Sequence, residues 1–211
     1  MPKALKSLVI IGAGGHAKSV ADAAMSAGYK IACFVAPDAK SKKMLGIPVQ
    51  ASMPKGAGYV YALALGDNAK REAVAIKYAK LVFPTIVHKT AYVSPSAKLG
   101  AGTVVLAQAN VGADSKVGRF CIINSAASLD HDGVLGDFAA LAPAATTGGN
   151  VTIGARVAIG IGAAIKHGIS IGDDCVLGAK SYLDRDLPKG VVAYGAPAKA
   201  VRKRKKGDAY L

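Results

Sequence analysis

The stretch that decides the fold is KVGRFCIINSAASLDHDGVLGDFAALAPAATTGGNVTIG, residues 116–154. It carries an aliphatic residue at Val117, Ile123, Leu129, Leu135, Leu141 and Ile153, with Thr147 in the one gap. The step of six runs outward in both directions. From Val93 to Leu183, fifteen of sixteen positions at this spacing are aliphatic, and no insertion breaks the register. The position four residues later is Ala, Gly, Ser, Cys, Thr or Val in fourteen of sixteen cases, and the position just after the aliphatic is Gly in nine. An amphipathic helix repeats every 3.6 residues and a half-buried strand every two, so a strict six fits neither. It fits short parallel strands wound into a three-sided column, three hexapeptides to a coil. Residues eighteen apart then stack at one strand spacing, ~4.8 Å. Sixteen repeats make a little over five coils.

Residues 1–85 keep other periods. SLVIIGAGG reads as a strand ending in glycines, HAKSVADAAMSAG as a helix closed by Gly28, and KIACFV as a second strand. YVYALALG is a further strand, followed by the helical AKREAVAIKYA. The expected fold is therefore mixed: a small βαβ domain (a Rossmann-like half) over 1–85, a linker FPTIVHKTAYVSPSA, and a parallel β-helix over 93–188. A basic cap over 189–211 completes it. Gly195 and Pro197 end the repeat there, and the basic run is expected to form a short helix on the open end.

The formal net charge of +14 points to a polyanionic partner, such as nucleic acid, a membrane surface or phosphorylated small molecules. No aromatic-interleaved basic strand or recognition-helix pattern supports nucleic acid. Part of the charge is a terminal run, Arg202, Lys203, Arg204, Lys205 and Lys206, readable as a solvated tail. The apolar run at Leu8–Ile11 is too short for a targeting core, and no apolar stretch is long enough to span a membrane. Cys33, Cys121 and Cys175 form no even framework and no CxxC pair, so they are expected to be reduced, buried and cytoplasmic.

Gly12-Ala13-Gly14-Gly15-His16-Ala17 matches G-x-G-x-x-[GA] between a strand and a helix. Such a turn lets backbone N–H groups and a helix N-terminus meet a phosphate. A complete dinucleotide fold does not fit in 85 residues, so one nucleotide diphosphate is the better match. The plainer alternative is a turn that serves only helix-on-sheet packing.

His131 lies between Asp130 and Asp132. At steps of eighteen its column reads Ala113, His131, Gly149, His167, Arg185, a groove with room, titratable groups and a guanidinium. The flanking aspartates favour the charged imidazole and strengthen it as a base. A surface histidine on a turn is the bland reading, and for His167 ligand contact and plain exposure weigh equally. His131 and His167 stand two coils apart, ~9.6 Å, too far for one metal ion to bridge within a chain. His88 precedes the repeats, so no metal is expected.

Together GAGGHAKSVADA, LGIPV, GDNAKR, HKTAYVSPSAKLG, INSAASLDHD, GDFAALAP, GNVTIG and YGAPAKAVRK resemble the sugar O-acyltransferase group of hexapeptide-repeat proteins over nearly the whole chain. That group includes sialic acid O-acetyltransferases and bacterial nucleotide-aminosugar N-acetyltransferases. The resemblance implies a left-handed β-helix, a homotrimer with sites between subunits, and acetyl-CoA as co-substrate. It makes His131 the general base and Asp132 its partner. It places Gly14, Gly15, His16, Asp38, Gly66, Asp67 and Asn68 on the nucleotide sugar, and Ala140, Gly149, Ile161, His167 and Ala179 along acetyl-CoA. Two departures stand out. Family members often carry a second histidine at the position of Ala140, and paired acidic residues where this chain has Ala36-Pro37-Asp38, which leaves UDP, GDP and dTDP all open.

The implied reaction is direct attack of a sugar amine, of the 4-amino-4,6-dideoxy kind used in bacterial surface glycans, on the thioester. No GxSxG or catalytic-cysteine context competes. O-acetylation of a sialic acid is the near alternative, a non-catalytic assembly module the remote one.

Overall fold

The computed structural model describes residues 7–205 and 208. β1 (Ser7–Ile11) runs through the glycine loop into α1 (Gly15–Ser26) and back to β2 (Lys30–Val35). A short pair, β3 (Lys43–Met44) and β4 (Ile47–Gln50), precedes β5 (Tyr59–Leu63) and α2 (Asn68–Lys77). The sheet order is β3-β4-β2-β1-β5, with β1 parallel to both β2 and β5. Leu8 to Ile11 are all buried, as a central strand covered on both faces requires. The β3–β4 hairpin was not expected; its strands are too short to show a period, and its signal is the turn Leu45-Gly46, both residues at positive φ.

The six-residue rhythm becomes sixteen two-residue strands, β7 (Tyr92–Val93) through β22 (Tyr182–Leu183), in three parallel sheets. Each pairs at a register of eighteen, for example Val111 with Leu129 and Leu135 with Ile153. The second residue of each strand points inward, and so does the small residue four positions on, giving one continuous core from Val105 to Leu187. Fourteen successive corner positions, six apart from 102 to 180, sit in the left-handed region, and most are not glycine. Glycine is instead required just after the aliphatic. A Cβ on Gly100, Gly112 or Gly136 would come within 2.7 Å of backbone on the next coil.

Both ends differ from expectation. Stacking starts inside the stretch read as linker: β6 (Ile86–Val87) pairs with Val104–Val105 at the same register of eighteen. Val87 is simply the repeat one step before Val93. The cap is no helix but a hairpin, β23 (Val191–Gly195) and β24 (Ala198–Lys203). Val192 pairs with Val176, so the open sheet edge captures the tail as a strand and its backbone groups are satisfied there. Lys206 lies outside the described residues.

The column thus has three faces, each with its own outward residues. One shows Lys98, Lys116, Val134, Thr152 and Ser170; a second shows Tyr92, Asn110, Ser128, Thr146, Ala164 and Tyr182 and bears no charge. The third is covered. There α1 packs Ala17, Val20, Ala21 and Ala24 onto Ile86, Val104, Ile122 and Ala140, and the β23–β24 hairpin closes the far end.

Candidate active site

His131 stands on the corner between the uncharged and lysine-bearing faces. The left-handed φ of Asp132, 56°, turns the chain so that its carboxylate meets its neighbour: His131 Nδ1 lies 2.8 Å from Asp132 Oδ2. Asp130 Oδ1 accepts from the His131 backbone N–H at 2.8 Å. The imidazole is 55% exposed. The hydrogen bond that Asp132 accepts chiefly, with the Asp130 charge added, raises the pKa of His131 above its ordinary value. Because Nδ1–H donates to the carboxylate, Nε2 holds the free lone pair. The ring rests on Gly149, one coil on, whose missing side chain makes the room. His167 occupies the same corner one coil further, with its backbone against Gly148.

The other expected residues gather elsewhere. A cavity of about 630 Å³ opens on the covered face between the N-terminus of α1 and the hairpin. Its floor is Ala140, Ala158 and Val176; its outer corner is Ile161 and Ala179; its inner end is His16 and Gly66. Tyr194 lies over Gly178 and closes the far end. Ala140, Ile161, Ala179, His16 and Gly66 therefore share one slot, while His131, Asp132, Gly149 and His167 share a corner across the uncharged face.

The glycine loop divides by role. Gly12 has φ +117°, and a Cβ there would meet Ala64 O at 2.7 Å, so packing alone requires it. Gly14 and Gly15 face open space at the start of α1, where no packing demands glycine and the helix N–H groups are accessible. Asp38 sits in an exposed turn after β2, at the same end of the sheet. His16 Nε2 is the one buried side-chain polar atom among the described residues with no hydrogen-bond partner. Burial, and next the nearby Arg71 charge, lower the His16 pKa to about 4, so this imidazole is neutral near pH 7.

Asp67 caps α2, accepting from Lys70 N at 2.8 Å. Asn68 is fully buried and points into the domain junction rather than the slot. Sequence reasoning passed over Asn124, which lines the slot and whose Oδ1 accepts from Ser125 N, and Ser19 beside it. The only sign of Asn124 was an amide at a repeat position where glycine is commonest. Of the basic tail, Arg202 pairs with Asp208, and Arg204 donates to Arg156 O and Asp174 O.

Cys33, Cys121 and Cys175 are buried and free, and burial raises each thiol pKa, Cys121 to about 12, so none is a poised nucleophile. No cluster of three metal-ligating side chains occurs among the described residues. No described helix is long and apolar enough to cross a membrane.

Residues 7–78 match the family model for the PglD N-terminal domain, and residues 150–185 match the bacterial transferase hexapeptide model. Among solved structures, the acetyltransferase domain of PglB from Neisseria gonorrhoeae is 33% identical with a TM-score of 0.87, over 93% of this chain and 100% of that one. A second structure of that domain holds acetyl coenzyme A. PerB from Caulobacter crescentus, solved with CoA and GDP-perosamine, is 38% identical with a TM-score of 0.87, over 93% and 98% of the two chains. The Caulobacter enzyme, a perosamine N-acetyltransferase, is also known with a single histidine replaced by Asn or Ala. No functionally curated protein sequence matches the chain.

Proposed function

The chain belongs to the nucleotide-aminosugar N-acetyltransferase family of left-handed β-helix proteins, and from that membership we propose that it moves the acetyl group of acetyl-CoA onto the amine of a nucleotide-linked amino sugar. The observation that carries this reading is the His131–Asp132 pair: a half-exposed imidazole, held through Nδ1, with Nε2 open to an incoming amine.

The amine nitrogen attacks the thioester carbonyl carbon while His131 Nε2 takes its proton. A C–N bond forms, the C–S bond breaks, and the proton passes from the imidazolium to the departing thiolate. The thioester is already activated, so no covalent enzyme intermediate is required. General-base assistance of this kind is worth roughly 100-fold to 10,000-fold. The slot, with its Ala140 and Ala158 floor, suits the narrow arm of acetyl-CoA, and the open glycines at α1 suit a nucleotide diphosphate.

A homotrimer is part of this proposal, and the arrangement of the faces supports it. The uncharged face has His131 on one edge and the slot on the other. Three columns that turn this face toward a common axis bring the His131 edge of one subunit against the slot of the next. The base and the acetyl group then meet across the boundary, although the width of the uncharged face keeps them apart within one chain. Closed heterologous rings of this sort use two different edges of the same surface.

The test is thiol release from acetyl-CoA with a panel of UDP-, GDP- and dTDP-linked 4-amino sugars, run on wild type and on His131→Asn. Turnover with at least one sugar is expected, reduced at least about a hundredfold in the variant with the oligomer intact. Normal turnover in His131→Asn refutes the assignment.

A further inference from the structure

Arg71 has the largest fully buried side chain among the described residues, 1% exposed, and acetyl transfer as written above gives it no task. It stands with Asn68 on the first turn of α2. Its Nε donates to Phe120 O at 2.8 Å, and its Nη2 to Phe138 O and Asn68 Oδ1, both at 2.7 Å. Its Nη1 donates to Leu65 O at 2.8 Å and Gly66 O at 3.0 Å. The five N–H donors of a guanidinium match these five acceptors. Asn68 Nδ2 in turn donates to Arg156 O at 3.1 Å and Val157 O at 3.0 Å.

Phe120, Phe138 and Arg156 are eighteen apart, the same corner of three successive coils. The pair therefore holds four carbonyls spread over three neighbouring rungs, Phe120 O, Phe138 O and, on the third, Arg156 O and Val157 O. On its other side it holds Leu65 and Gly66, and Gly66 lines the slot. A buried guanidinium tolerates no loss of partners cheaply, so this junction has one geometry.

We propose that Arg71, together with Asn68, is a positioning pair for acetyl transfer: it fixes the sugar-binding loop at one height on the column and thereby sets where the acceptor amine meets the thioester. This rests on the function proposed above. Rungs are ~4.8 Å apart, and reacting atoms must approach to roughly 3–3.5 Å, so a seat shifted by one rung would abolish the encounter. The Arg71 charge also helps burial keep His16 neutral at the same end of the slot.

The experiment compares Arg71→Lys, Arg71→Met and Asn68→Ala in the full chain. The expected result is a kcat/KM for the nucleotide sugar lowered roughly 10- to 100-fold. Acetyl-CoA affinity by calorimetry should stay within about twofold. Hydrogen exchange should quicken at residues 65–77 while the strands from 104 to 183 stay protected. A merely structural role predicts the opposite split: acetyl-CoA binding and sugar turnover fall together with the folded fraction, and the sugar KM is unchanged. That result, or unchanged exchange at the junction, overturns the proposal. If the Arg71 variants do not fold, Asn68→Ala alone carries the comparison. If wild type acetylates no nucleotide amino sugar, the proposed function fails and the positioning role falls with it; an active wild type whose variants keep its kcat/KM overturns the positioning pair alone.

Discussion

The His131 imidazole lies on the α-carbon of Gly149, one coil further along: a Cβ at Gly149 would come within 2.3 Å of His131 Cε1 and 2.4 Å of Nε2. The glycine is thus a seat for the ring. Gly149→Ala is expected to displace the imidazole and lower kcat roughly tenfold or more, with the thermal transition little changed. A fully active Gly149→Ala protein would mean that the ring works from another rotamer.

The Asp132 bond raises the His131 pKa, and a general base at His131, as proposed, works only when unprotonated. The rate should therefore fall on the acid side as His131 takes up a proton. Asp132→Asn removes the largest cause of the shift, so the acid limb of the kcat/KM profile should move to lower pH. At the same time the maximum should drop by roughly tenfold or more, because the weaker base is also less well held. A profile whose acid limb stays in place would assign that limb to another group.

The corner residue Ala179 is exposed at the mouth of the slot. Ala179→Trp should raise the KM for acetyl-CoA about tenfold or more while the melting temperature holds, since surface changes cost within about 0.5 kcal/mol. An unchanged KM would remove this slot from the path of acetyl-CoA.

His16 tests the junction through stability. Its folded pKa, about 4, lies below the ordinary 6.5, so the unfolded chain binds more protons between those values. Stability is therefore lost as pH falls from 6.5 toward 4, by up to roughly 3 kcal/mol from this group. His16→Gln should flatten that part of the stability curve, read by urea unfolding at pH 7 and pH 4.5. Parallel curves for the two proteins would show that His16 protonates freely in the folded state.

The solenoid was legible because one residue in six must be aliphatic to fill a triangular core, and Val93 to Leu183 keep that rule almost without exception. Its ends were less so. Val87 obeys the rule but follows Pro84 in a stretch that reads as a connector, and the tail's strand at Val191–Gly195 is selected by an unpaired sheet edge, which is a property of the neighbour rather than of the segment. The contact of His131 with its two aspartates was legible, since both are sequence neighbours. Asn68 was not: GDNAKR reads as a ligand loop, yet the amide and the guanidinium three residues later turn inward to carbonyls that the sequence cannot show. The pairing of Ala140 with His16 likewise needed coordinates, because residues 124 positions apart meet only when α1 is laid on the covered face.

The unbroken pitch turns the column into a graduated ruler. Groups that share a corner, such as His131, Gly149 and His167 or Ile161 and Ala179, sit a whole number of divisions apart, so the reach along a corner can be lengthened only in units of eighteen residues. One extra coil spliced between two existing ones would leave each corner's chemistry intact and set the groups above and below it ~4.8 Å further apart, whereas a single added residue would rotate everything beyond it out of line.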